Sequence, residues 1–312
     1  MIQQKIDTAI EQFGNQLVQL DLEQQAYLKR QKIAKIGMIA IALIYVGIIF
    51  SLKFSGFSTT VAAAISTVTL AIMLKLAQNW YLSQADIFSD FYKKHFIKEI
   101  ITLFYPHYSF QYLPDSFPSH PELSTNSDKK QQIVQQDFIK GVSGNLAFNI
   151  NHVVDEISNF KGILYTIPLH KELPLTISFT PKVLPSEMVR MHLAVPDETL
   201  SPMDCPIIKG HFIRLLTNNP ELLPQLITPD FVLQLRYIQQ VFNRQSLPDF
   251  SLIDNTFYIL IPNYKQYLEI SPMTPIEHHS VITRLIKQVD NIMAPIEKLL
   301  PILDRNLHQI ED

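Results

Sequence analysis

Two runs without a charged side chain constrain this sequence more than anything else in it. Residues 36–52, IGMIAIALIYVGIIFSL, carry none in 17 positions, and residues 57–74, FSTTVAAAISTVTLAIML, carry none in 18. As helices rising about 1.5 Å per residue, each reaches roughly 26–27 Å, close to the span of a hydrocarbon core. Only KFSG, residues 53–56, separates them, so the two helices must turn straight back on each other. The competing reading, a pair of buried core helices, requires two adjacent helices that are apolar all round. The expectation is a two-helix transmembrane hairpin over 36–74, an uncleaved anchor with spans at 36–52 and 57–74.

Basic residues near the span ends set the expected orientation. Lys29, Arg30, Lys32 and Lys35 precede the first span, and Lys53 alone marks the tip. Lys75 follows the second span, with Lys93, Lys94 and Lys98 beyond it. Both termini are therefore expected in the cytoplasm, with Trp80 and Tyr81 where an interfacial aromatic anchor belongs. Ala63, Thr67 and Ala71 recur every four residues, a small-residue stripe that lets helices approach closely in lipid. Neither span holds an ionisable side chain, which argues against a transporter or proton relay.

The first 35 residues read as an amphipathic or coiled-coil arm. Ile6, Ile10, Phe13, Leu17 and Leu20 repeat at spacings of four and three, and the series runs on through Gln24 to Tyr27. Three partners for that seam stay open: a second copy of the chain, the rest of this chain, or the lipid surface.

Proline divides the remainder. All twenty prolines lie at or after Pro106, so a helical first third gives way to turns and strands. A helix over about 83–102 continues the second span until Pro106 stops it. Residues 114–130 read as a surface loop, and a second loop carries five prolines between Pro181 and Pro206. Strands are expected at 137–142, 145–154, 161–168, 173–180, 207–216, 249–254 and 256–262; in the second, Leu146, Phe148, Ile150 and His152 alternate with polar neighbours as in a half-buried strand. Ser143-Gly144 and Asn255 mark hairpin turns. A helix opens at Pro229, and a last one runs from about 275 to 300 with Val281, Leu285, Val289, Ile292 and Ile296 as its stripe. This is a cytoplasmic α+β domain over 75–312, without regular βαβ alternation.

Composition removes several functions. The eight glycines offer no phosphate-cradling loop, so a P-loop nucleotidase or a dinucleotide-binding unit is not expected. After residue 75 there are 19 Lys+Arg against 25 Asp+Glu, the wrong sign for a nucleic-acid partner. The single cysteine, Cys205, can form no internal disulfide, which fits a reducing compartment.

The order of these features, with YKKHFIKEIITLFYPHYSF at 92–110, resembles the bacterial membrane proteins catalogued as domain of unknown function 3137, sometimes labelled galanin-like. DFIKGVSGNLAFNINHVVDE at 137–156 and FKGILYTIPLHKEL at 160–173 are similar to that family's strand pair and core segment. GHFIRLLTNNPELLPQLITPDFVLQL at 210–235 and NTFYILIPNYKQYLEIS at 255–271 resemble its last third. The prolines around 181–206 and Asn218-Asn219 depart from its pattern. The resemblance implies topology, in the bacterial inner membrane, and carries over no catalytic residue, since the family has no established activity.

Four groups of side chains are candidates for chemistry. His278 and His279, after Glu277, point about 100° apart on a helix and cannot share one ion as an i, i+4 pair can. Asp155 and Glu156 face opposite sides of a strand. Cys205, beside Asp204, has no nearby basic residue to activate it. Ser143 lacks the strand-to-helix turn of a nucleophile elbow. No catalytic, cofactor-binding or metal-binding residue is assigned, and no cofactor is expected. The reading is a membrane-anchored interaction or scaffold module. Its partners are the lipid bilayer, a second copy through the arm, and an unidentified cytoplasmic or membrane protein. A membrane-bound, hydrolase-like enzyme with an unrecognised site is the alternative, and a multi-chain channel comes third.

Overall fold

The computed structural model describes residues 2–55, 59–112, 123–125, 133–155, 160–182, 191–193, 200–262, 268 and 277–311. The chain is mixed helix and antiparallel sheet. It falls into two compact units, Met1–Phe96 with Glu269–Thr283, and Ile97–Leu268 with Arg284–Asp312.

The first unit is built on two long helices, α1 (Ile2–Phe54) and α2 (Thr59–Phe91). The arm and the first apolar run form one unbroken helix of 53 residues. Nothing in the arm interrupts it: there is no proline, and Gly14 costs only about 1 kcal/mol of helix propensity. The seam is buried inside this chain. Ile6, Phe13, Leu17, Leu20, Gln24 and Tyr27 are all buried, and Ala9 joins them. Phe13 meets Phe96 at 6.2 Å between ring centroids, and Tyr27 meets Phe88 at 6.0 Å. Of the three partners open to the seam, its own chain occupies it.

After α2 a π-helical turn, Tyr92–Ile97, leads into α3 (Lys98–Phe104), which ends just before Pro106 as the sequence anticipates. The second unit follows, on a nine-stranded antiparallel sheet. Its strands are β1 (Ser109–Gln111), β3 (Ile133–Ser143), β4 (Leu146–Asp155), β5 (Phe160–Pro168), β6 (Ile177–Pro181), β8 (Ser201–Pro202), β9 (Phe212–Thr217), β10 (Asp249–Ile253) and β11 (Thr256–Pro262). In space they run β1-β3-β4-β5-β11-β10-β6-β9-β8. The β3-β4-β5 meander joins the β11-β10-β6-β9-β8 strands where β5 pairs with β11, Ile163 opposite Ile261. The Pro-rich loops supply a separate small pair, β2 (Leu123–Thr125) with β7 (Met191–Leu193).

Turn chemistry sets the registers. Ser143 pairs with Leu146 across Gly144-Asn145, with Gly144 at φ 61°. Ile253 pairs with Thr256 across Asp254-Asn255, both at positive φ, the twist-matched two-residue turn. The Asn255 side chain then accepts from the Leu173 amide at 3.0 Å, tying the turn to a second loop.

Two short helices, α4 (Leu223–Leu226) and α5 (Pro229–Val241), precede β10. Thr228 caps α5 by accepting from the Phe231 amide at 3.3 Å. Phe231 then stands edge-on to Phe250 and Phe257 at 5.5 and 5.8 Å, while Phe179 stacks on Phe250 at 4.5 Å. The last helix, α6 (His278–Glu311), carries the expected stripe fully buried and extends beyond residue 300. Pro295 and Pro301 lie inside it, each removing one ladder hydrogen bond. The helix continues because Leu303 and Leu307 prolong the buried stripe. Asn306 also donates to the Leu226 carbonyl at 2.9 Å and to the capping hydroxyl of Thr228 at 3.0 Å. The strand expected at 207–216 begins only at Phe212, because a 3-10 turn over Pro206–Ile208 and Gly210 at φ 83° precede it.

Candidate functional site

An uncovered apolar surface on α1 is the most prominent feature of the first unit. Ile36, Ile39, Leu43, Ile44 and Phe50 are each more than half exposed, although they are the residue types that folding normally removes from water. One helix near the N-terminus is thus long and apolar enough to cross a membrane, with none of its apolar window buried. In α2 the described apolar stretch is shorter, Thr67–Leu76, with Val68, Ile72 and Leu76 exposed. Thr67 and Ala71, expected to pack against a neighbouring helix, are exposed; the side chains of Ala63, Trp80 and Tyr81 lie outside the described residues.

Just before the apolar run, α1 carries Lys29, Arg30, Lys32 and Lys35, all exposed. Gln31 in the same turn is buried, and its amide donates to the Tyr27 hydroxyl. From residue 24 to residue 85 the chain contains no Asp or Glu.

The second unit holds a buried polar cluster where β3 bulges against β4. Gln136 pairs with His152 and Ile139 with Ile150, leaving Asp137 and Phe138 opposite Asn151 alone. Asp137 sits at φ 56°, the bulge position that glycine usually takes, and its amide bonds the Tyr112 carbonyl at 3.1 Å. Its carboxylate lies 3.7 Å from Nδ1 of His152, and both side chains are almost fully buried. Asn151 donates to Gln135, and both are buried. Ile139, Ile150, Ile163, Leu268 and Ile292 complete the walls of a cavity of about 10 Å3. That space suits about one water molecule and no organic substrate. At 3.7 Å the two side chains make a close polar contact inside the core rather than a hydrogen bond.

Sequence reasoning placed His152 on the inward face of its strand but gave Asp137 no role. A backbone bulge has no signature in the order of DFIKGV, so their meeting is decided by pairing. The residues weighed from sequence are dispersed. Glu277 and His279 are exposed, and their carbonyls accept the hydroxyls of Ser280 and Thr283 at 3.0 and 2.7 Å. Asp155 ends β4 opposite Phe160, while Glu156 lies outside the described residues. Cys205 is buried, and neighbouring Asp204 pairs with Lys209 at 2.9 Å. Ser143 ends β3 at its hairpin. Among the described residues, no three His, Cys, Asp or Glu side chains are placed to hold a metal ion. At the β8–β9 edge, Pro202, Met203, Phe212 and Arg214 line an open groove.

No protein-family model matches the chain, and neither the curated proteins nor the solved structures contain a match to it.

Proposed function

We propose that this protein is a membrane-anchored interaction module of the bacterial inner membrane, with two spans at 36–52 and 57–74 and both termini in the cytoplasm. The observation that carries the reading is the exposed apolar face of α1, in a chain that buries such residues throughout its sheet. Residues 36–52 include ten Ile, Leu, Val or Phe side chains. At about 0.3–0.6 kcal/mol each, their insertion is favourable by roughly 3–6 kcal/mol, before the cost of any polar neighbour. The basic residues before the first span and after the second favour the cytoplasmic orientation. The resemblance to the domain of unknown function 3137 family supports the same topology.

Self-association through the arm belongs to this proposal on a different face from the seam. Phe13, Leu17 and Leu20 are already buried, whereas Val18, Leu22 and Ile33 are exposed on the opposite side of the helix. The buried Asp137–His152 pair lends no weight to a hydrolase, since a cavity of about 10 Å3 leaves a substrate no place.

Single cysteines test the topology, introduced as Ser55→Cys and Glu172→Cys in a Cys205→Ala background. An impermeant thiol reagent applied to intact cells is expected to label position 55 and spare position 172. Labelling at 172 would invert the orientation, and release of the protein from membranes by alkaline carbonate would end the anchored reading.

A further inference from the structure

We infer that the turn of α1 ahead of the apolar run is a binding collar for anionic phospholipid headgroups, so that the protein gathers acidic lipid around itself. The inference rests on the membrane reading and adds a lipid class to it. Four cations occupy seven residues, Lys29, Arg30, Lys32 and Lys35. At about 100° per residue they fan around roughly 220° of the helix, and the remaining arc carries the neutral, buried Gln31. All four side chains are exposed. Lys29, Lys32 and Lys35 form no ion pair among the described residues, and the nearest acids in sequence are Glu23 and Asp86. Exposed Leu28 and Ile33 flank the cations with apolar surface suited to the headgroup–acyl boundary.

Rigid continuity gives the collar its depth. Lys35 directly precedes Ile36 in one unbroken helix, and Lys29 stands about 9 Å farther from the apolar run. The cations thus sit at headgroup level when the run is in hydrocarbon. A topological signal needs only net positive charge on one side. A group of exposed cations at fixed depth goes further, since each basic residue near an anionic surface contributes attraction that adds with its neighbours.

The sole tryptophan, Trp80, reports on this layer. Phe88 and Tyr27 mark one level of the two helices. Trp80 lies eight residues before Phe88 and Lys35 eight after Tyr27, about 12 Å along each helix. The full-length protein is reconstituted in phosphatidylcholine vesicles containing a minority of phosphatidylglycerol, with one lipid or the other brominated at equal mole fraction. Brominated phosphatidylglycerol is expected to quench Trp80 at least about twofold more than brominated phosphatidylcholine, with the excess falling as salt rises. The excess should vanish when Lys29, Arg30, Lys32 and Lys35 are all changed to Gln, while quenching by brominated phosphatidylcholine persists. It should survive Lys29→Arg, Lys32→Arg and Lys35→Arg. Equal quenching by the two lipids in the unaltered protein, or an excess that outlives the Gln changes, overturns the collar and leaves the anchor standing. Absence of quenching by either lipid overturns the membrane reading itself.

Discussion

The Tyr108 hydroxyl donates to the Glu297 carboxylate at 3.0 Å, joining residues 189 apart in sequence. Tyr105, stacked on Tyr108 with centroids 5.9 Å apart, donates in the same way to Asp290. Two tyrosines beyond α3 thereby hold two acidic residues of α6, and this contact responds to pH. Burial, then the negative charge of Glu297 and the hydrogen bond to it, raise the Tyr108 phenol from 10.0 to about 12. The folded state keeps a proton that the unfolded chain releases near pH 10, so the stabilisation is present below pH 10 and lost as pH climbs towards 12. Discounted for the solvent exposure of the pair, the shift is worth on the order of 1 kcal/mol. Tyr258, raised chiefly by burial, acts in the same direction. Urea unfolding between pH 9 and 12 should show a steeper loss for the unaltered protein than for Tyr108→Phe. Parallel curves would sink the assignment.

Gly141 lies under the Tyr108 and Phe148 rings, which meet edge to face at 5.3 Å. A Cβ there would stand 2.6 Å from the Phe148 ring and closer still to Tyr108. Phe148 is fully buried and has little room to retreat. Gly141→Ala is expected to destabilise the second unit by about 1–3 kcal/mol, as overpacking does. Thermal unfolding of this variant beside Val142→Ala, an exposed neighbour in the same strand, separates the clash from a general strand effect.

At the bulge, backbone and side chain of Asp137 make opposite demands. Glycine would adopt its φ of 56° more easily but would remove the carboxylate beside His152. Alanine loses both advantages. Asp137→Ala should therefore be less stable than Asp137→Gly by about 1 kcal/mol, the cost of left-handed backbone for a residue with a Cβ. Equal stabilities in chemical denaturation would show that the backbone there relaxes.

For the arm, truncating the buried seam should cost far more than truncating the exposed face. Leu17→Ala is expected to loosen the arm by about 2–5 kcal/mol, and Val18→Ala by less than about 0.5 kcal/mol. Hydrogen exchange over residues 2–35 in detergent measures both. Protection that depends on protein concentration would indicate that a second copy, rather than this chain, covers the seam.

Much of the architecture was legible because it is local. Pro106 ends the helix that runs out of the apolar region, Asn255 marks a hairpin, and His152 lies on the buried side of an alternating strand. Each of these depends on neighbours within a few residues, where period and turn chemistry speak directly. Misreadings came where distant segments decide. The 114–130 and 181–206 loops contribute β2 and β7 to one pair, because each supplies the partner the other lacks. Pro301 does not end α6, since the apolar stripe beyond it continues to Leu307.

By itself the sequence determined an uncharged apolar run behind a basic turn, a heptad seam, and an antiparallel strand-rich second part. These follow from composition and period alone. Only the tertiary structure decided that the seam is buried within its own chain, that β5 joins β11, and that Asp137 meets His152 at a bulge. Such choices turn on which distant surfaces find each other, and apolar burial rewards any complementary face without naming it in advance.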